Sequence, residues 1–328
     1  MAAEELRMNA FRIAALAASV ALCGLGAGAQ AKPIAVGALK GPSGIGMVKL
    51  FEAPPIAADG TVLRPIAVGS ADLMTAKLIS GEYDAGVLPV NVAAKLYSSG
   101  LPLKLAAIVG DGMVAFLSAD PAAASLADLR GKRVNVAGQG ATPDYLFRKL
   151  LKGAGVDPER ELTLDYSLPY PEAALALASG KIAYAILPEP FATMARLQNA
   201  KLGSRIDLGA LWTEQTGQAS YPMTALVVSS KLARERPVAV RALLDAYAAS
   251  IAWVRANPAE AGALVEKEEL GLKAGVAAKA IPLSAYVFTE AVAARPAVEA
   301  LLKVFLDFAP ASVGGSLPDD GFYAAFDK

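Results

Sequence analysis

The sequence predicts an α/β protein of two similar lobes joined by two crossover strands and followed by a helical C-terminal region. Three observations carry that prediction. Short apolar runs alternate with helical stretches of ordinary length, the pattern of a sheet covered by helices. Landmarks in one half recur in the other at a constant offset of 99 residues, from Ser80-Gly81 to Ser179-Gly180 and from Leu88-Pro89 to Leu187-Pro188. Beyond residue 230 the apolar residues follow a helical period.

In chain order, residues 34–39 form an apolar strand, and the turn from Lys40 to Gly46 leads into a helix expected over 45–51. Residues 61–68 read as a strand. Ser70 can cap a helix through Ile79, which Gly81 ends. A short buried strand over 83–88 precedes a helix opened by Pro89, and 103–109 and 113–118 are further strands. Pro121, a run of alanines and a capping Ser125 suggest that the chain passes to the second lobe over 120–128. There Val134 to Ala137 form a strand, Gly138-Gln139-Gly140-Ala141 a turn, and a helix opens with Thr142 as N-cap and Pro143 at its first position. The common offset sets Gly41 on Gly140, Ser43 on Thr142 and Lys49 on Arg148. The strand over 223–228 returns the chain to the first lobe. A helix over 237–254 then carries an apolar stripe of Val240, Leu243, Leu244, Tyr247, Ile251 and Val254. Helical stretches follow over 258–265, 274–280, 284–288 and 296–308, with a final turn over 319–328. The expected division is a signal peptide at 1–31, the first lobe at 32–118 and 223–328, and the second lobe at 119–222.

Composition excludes several functions. Lys+Arg and Asp+Glu both number 31, so no basic surface is available for nucleic acid. Histidine is absent, which removes the commonest general base and transition-metal ligand. The one cysteine, Cys23, lies in an N-terminal apolar run that follows Arg7 and Arg12 and ends at Ala29-Gln30-Ala31, a signal-peptide pattern. Cleavage there leaves a chain without disulfide, thiol nucleophile or cysteine metal site. Met8 offers an alternative start, and the bulky Leu22 directly before Cys23 argues against a lipid anchor. With 55% hydrophobic residues the chain can core two domains.

The glycine turn lacks the third glycine of a dinucleotide fingerprint and the Gly-Lys-Ser/Thr of a P-loop. It reads instead as a cradle of backbone N–H groups at a helix start, each anion contact contributing about 1.5–3 kcal/mol. Gly140, Ala141 and Thr142 are the second-lobe candidates, and Ser43, Gly44 and Ile45 the first-lobe ones. Glu189 and Phe191 follow a buried strand where open α/β sheets bind ligands. Glu189 either faces the cleft or supports its own helix. Asn91 stands near the matching first-lobe position. Tyr145, Tyr170 and Tyr221 can each stack on a ligand or sit in the core. Ser70 and Asp72 can line the first lobe or simply cap, and Met113 can flank the cleft.

Gly131-Lys132-Arg133 with the glycine turn through Tyr145 resembles the second-lobe entrance of periplasmic substrate-binding proteins of ABC importers, in the nitrate/sulfonate/taurine and thiamine-precursor branch. Ala178-Ser179-Gly180-Lys181, Leu187-Pro188-Glu189-Pro190-Phe191, the stretch from Ser230 to Pro237 and Ala252-Trp253-Val254-Arg255 agree with it. The resemblance covers essentially all of residues 32–328 and is specific for fold and role, much less for ligand. It implies the type II periplasmic-binding-protein fold, with crossings near 116–121 and 222–229 and a small polar or anionic ligand held between the lobes. It also implies export, permease and ATPase partners, a monomer, and neither catalysis, cofactor nor metal. The alternatives are an enzyme of the same fold acting on a pyrimidine or similar heterocycle, and a sensory binding module.

Overall fold

The computed structural model describes residues 32–326; the expected signal peptide, its cleavage site, Cys23 and the last two residues lie outside them. The apolar run Ile34–Leu39 forms β1, which pairs in parallel with β2 (Leu63–Val68) and β3 (Ala85–Pro89). β4 (Leu103–Asp111) and β9 (Pro222–Ser229) complete this sheet with β10 (Thr289–Glu290) at its edge, in the order β10-β4-β9-β3-β1-β2. A smaller sheet has the order β5-β8-β6-β7, from β5 (Val114–Ser118), β6 (Arg133–Val136), β7 (Thr163–Asp165) and β8 (Tyr184–Pro188). In both, a central strand has parallel neighbours on each side, and an antiparallel strand supplied by a chain crossing lies beyond one of them: β9 against β3, β5 against β8. The internal repeat is therefore architectural.

The helices keep the same offset. α1 (Pro42–Gly46) and α2 (Val48–Glu52) follow β1, α3 (Ala71–Ile79) precedes β3, and α4 (Val90–Ser98) follows it. In the smaller lobe these places are taken by a single helix α5 (Thr142–Gly153), then α6 (Tyr170–Ala178) and α7 (Phe191–Gln198), with α8 (Leu208–Thr216) added. α6 has the bounds of α3, and β8 those of β3, displaced by 99 residues. The returning chain contributes α9 (Ser230–Glu235), α10 (Pro237–Ala256), α11 (Pro258–Lys267), α12 (Ala274–Ala280) and α13 (Ala291–Phe308). The predicted stripe of α10 is buried from Val240 to Val254, where it packs on the larger lobe.

Three expectations change. The helix predicted over 45–51 is two short helices broken at Met47, whose φ of −99° and ψ of 2° leave the helical range, and Gly44 sits where the chain packs closely. A Cβ on Gly44 would lie 2.8 Å from the Leu39 carbonyl oxygen. The segment 284–288 is not helical; a 3-10 turn at Ile281–Leu283 leads instead toward β10. The first crossing is at Asp111 to Met113, earlier than 116–121, and β5, placed by sequence in the first lobe, belongs to the smaller sheet. Gly112 makes this possible: its φ is 50° and a Cβ there would meet the Ser220 hydroxyl at 2.6 Å. The two crossings are tied together, since Gly112 N–H donates to the Tyr221 carbonyl at 3.0 Å. Asp111 N–H donates to Ala285 of the larger lobe, while the Met113 carbonyl accepts from Glu189 N–H of the smaller one.

Candidate functional site in the inter-lobe cleft

Between the sheets lies a cavity of about 260 Å³ whose walls come from both lobes. On the larger lobe, Leu39 and Lys40 stand where β1 ends, Ser43 lies in α1, and Leu88 and Pro89 close β3. Met223 and Thr224 of β9 complete this wall, with Met113 at the first crossing. On the smaller lobe, Ala141, Thr142 and Pro143 open α5, Tyr170 opens α6, and Pro188 and Phe191 flank the end of β8. Strand ends and helix starts thus meet at the carboxyl edges of both sheets, where open α/β folds bind ligands.

The smaller lobe supplies an aromatic wall. Tyr170 and Phe191 are stacked with centroids 5.3 Å apart and planes 21° from parallel. Gly138 allows this placement: with φ of 83° it carries no Cβ, and one built there would fall 2.3 Å from the Tyr170 hydroxyl. Burial pushes the Tyr170 phenol up to about 12, so it stays a neutral donor at physiological pH.

The glycine turn is largely closed on itself. Gly140 N–H donates to the Asp144 carboxylate at 2.9 Å, and Ala141 N–H donates to the Gly138 carbonyl at 3.1 Å. Asp144, only 2% exposed, also accepts from Arg148 at 2.7 Å and from the Tyr166 hydroxyl at 2.8 Å. Ala141, rather than Thr142, holds the cap position, and Thr142 is the first helical residue. Its side chain is therefore not spent on capping. In the larger lobe, Gly41 N–H donates to the Leu270 carbonyl at 2.9 Å, and Pro42 has no N–H. The Ser43 hydroxyl donates to the Leu39 carbonyl at 3.2 Å, leaving its oxygen as an acceptor. The expected pair of bare anion cradles is replaced by a few hydroxyls around an apolar space.

Of the residues chosen from sequence, Ser43, Ala141, Thr142 and Phe191 meet in the cavity, as do Met113 and Tyr170. Gly140 stands just outside, its N–H taken. Gly44 and Ile45 are buried in α1 beneath the wall. Glu189 turns away: its carboxylate accepts from Thr193 N–H at 2.9 Å and from Arg196 at 2.9 Å, stabilising the start of its own helix. Tyr145 packs against Phe305 and Phe308 of α13 at 4.8 and 5.9 Å, because it points from α5 toward the larger lobe outside the cavity. Tyr221 is fully buried against Trp212, with its hydroxyl at the Val114 backbone. Ser70 caps α3 by accepting from Leu73 N–H at 3.2 Å. Asn91 is buried at the start of α4, and its carbonyl oxygen has no partner among the described residues. The residues missed from sequence include the apolar strand ends Leu39, Leu88 and Met223 and the polar Lys40 and Thr224. The 99-residue offset held one signal, since it relates Leu39 to Gly138, the glycine under Tyr170.

A family model described as the NMT1-like family matches residues 50–267, more than half of the chain and both crossings. The chain belongs to the NMT1-like family. Among solved structures, an ABC transporter protein from Parabacteroides distasonis is 29% identical, with a TM-score of 0.78 over 90% of this chain and 99% of that one. The periplasmic aliphatic sulphonate binding protein of Escherichia coli is 18% identical, with a TM-score of 0.71 over 90% of this chain and 93% of its own. The alkanesulfonate-binding protein of Xanthomonas axonopodis pv. citri, solved with MOPS, is 18% identical, with a TM-score of 0.61 over 88% and 95%. Among curated proteins no sequence matches. The NMT1-like chain thus has the two-lobe fold of these binding proteins along nearly its whole described length, as the sequence resemblance implied.

Proposed function

We propose that this NMT1-like protein is an extracytoplasmic solute receptor. It holds one small molecule between its lobes and delivers it, as a monomer, to a membrane permease coupled to an ATPase. The observation that carries the reading is the cavity itself: its walls come from both lobes, between which the chain passes at Asp111 to Met113 and at Ser220 to Pro222. A ligand touching both walls favours the closed arrangement by its differential affinity for it. Family membership and the binding-protein neighbours support the same role. The site is built for holding. Glu189 is engaged with Arg196 and Asp144 with Arg148, so neither is presented as an acid or base. Export rests on the N-terminal apolar run, and sequencing of the protein recovered from the extracytoplasmic fraction should begin at Lys32.

The experiment is small-angle scattering on the purified chain, paired with a thermal-shift screen of small acids, sulfonates and heterocycles. A compound that raises the melting temperature should also reduce the radius of gyration. Binders that leave it unchanged would overturn the receptor reading.

A further inference from the structure

The cavity also specifies what kind of molecule it takes, an inference that rests on the receptor reading above. Its walls are dominated by carbon, with Leu39, Leu88 and Met223 on one side and the Tyr170–Phe191 stack on the other. At about 260 Å³ it falls below the roughly 300–1,000 Å³ of sites for drug-sized ligands, a volume suited to a single ring. The charges are one-sided. Among the described residues Lys40 is the one charged side chain that lines the cavity and no carboxylate does, because Glu189 is held by Arg196 and Asp144 by Arg148 and Tyr166. No arginine lines it either, and the glycine turn has given two of its N–H groups to its own chain. Such a site lacks the donor set that a bare inorganic oxyanion needs on leaving water, and it offers a cation no counter-charge.

We propose that the ligand class is a planar aromatic monoanion, an arene carboxylate or sulfonate. Its ring packs along Tyr170 and Phe191, and its anionic group lies toward Lys40 and the Thr142 hydroxyl. The ring supplies most of the affinity through apolar burial and stacking. Lys40 supplies the preference for negative charge, and its exposure makes that preference sensitive to salt.

The test is calorimetric titration of the full exported chain with benzoate, benzenesulfonate, cyclohexanecarboxylate, benzamide, benzylamine, methanesulfonate and nitrate. Benzoate or benzenesulfonate should bind tightest. The saturated ring should be weaker by about three- to tenfold, and methanesulfonate, nitrate and benzylamine weaker still. Phe191→Leu should erase the advantage of the planar over the saturated ring. Lys40→Met should erase the advantage of benzoate over benzamide while benzamide affinity stays. Circular dichroism of both variants guards against misfolding, and a misfolded Phe191→Leu is replaced by Tyr170→Leu. Tightest binding by nitrate, methanesulfonate or benzylamine would overturn the ligand class, as would no binding anywhere in the panel. Compaction by such a binder in scattering would still uphold the receptor reading, whereas binding without compaction would count against that reading alone.

Discussion

The two lobes solve the same junction differently. After β1 the larger lobe makes two short helices, and after β6 the smaller lobe makes one twelve-residue helix. The 99-residue offset sets Ile45 of α1 on Asp144 of α5. Ile45 is fully buried in the core of its lobe, so Gly41 N–H finds its acceptor on a distant segment, at Leu270. Asp144 instead reaches back to Gly140 N–H within its own turn and gathers Arg148 and Tyr166. One lobe is thus anchored by the returning chain and the other is self-contained. A duplicated backbone does not duplicate the site: the larger lobe presents a lysine and apolar strand ends, the smaller one an aromatic wall.

The largest effect should come from breaking the self-contained junction. Asp144→Ala removes three hydrogen-bond acceptances at once and leaves the mostly buried Arg148 with the more exposed Glu159 as its counter-charge and the neutral Tyr166 hydroxyl as its other acceptor. It should cost about 3–5 kcal/mol in urea denaturation. Asp144→Asn, which can still accept from Gly140, should cost less.

The crossings that separate the lobes supply a pH test. Asp111 is pushed up to about 6 by burial, against opposing hydrogen bonds from Ser220 and Gly112. Its folded state therefore holds the proton more tightly than the unfolded one. Stability attributable to this residue is present below about pH 4 and is lost as pH rises through about 6. Asp111→Asn should remove that decline. Its advantage over the parent chain should grow from near zero at pH 4 to about 2–3 kcal/mol at pH 7, read from paired denaturation curves. A constant difference across that range would mean that Asp111 titrates normally.

Tyr145 joins the lobes outside the cavity through Phe305 and Phe308 of α13, while its offset partner Gly46 leaves room for Tyr247 and Tyr286. Tyr145→Ala should lower stability by about 1–3 kcal/mol. It should also increase the radius of gyration of the ligand-free protein, an effect that a loss within one lobe would not produce. Gly138→Ala should cost about 1–2 kcal/mol, because its positive φ is strained for alanine and the new methyl displaces the Tyr170 hydroxyl. Its clearer signature is a several-fold loss of ligand affinity. Leu39→Ala, at the offset position, should weaken binding less.

The fold was readable because its evidence is periodic and local: apolar strands, caps such as Ser70, and landmarks repeated at one offset. The location of the cleft followed from strand ends and helix starts. Its chemistry did not, since side-chain direction decides it. Asp144 lies four residues beyond Gly140, a spacing that lets it take the turn's N–H, yet only the three-dimensional turn shows that it does. Glu189 is turned from the cleft by Arg196, seven residues further along. The early crossing at Gly112 was hidden because a glycine in a turn looks alike in sequence whether it ends a hairpin or changes sheets.

A ligand held by both lobes should draw them together. Ser80 and Ser179, exposed and related by the offset, place one label on each lobe, and the described residues contain no cysteine to compete. Pulsed electron–electron resonance on the spin-labelled Ser80→Cys, Ser179→Cys chain should show a broad distance distribution without ligand. Saturating benzoate should narrow and shift it. An unchanged distribution, with benzoate shown by calorimetry to be bound, would contradict the claim.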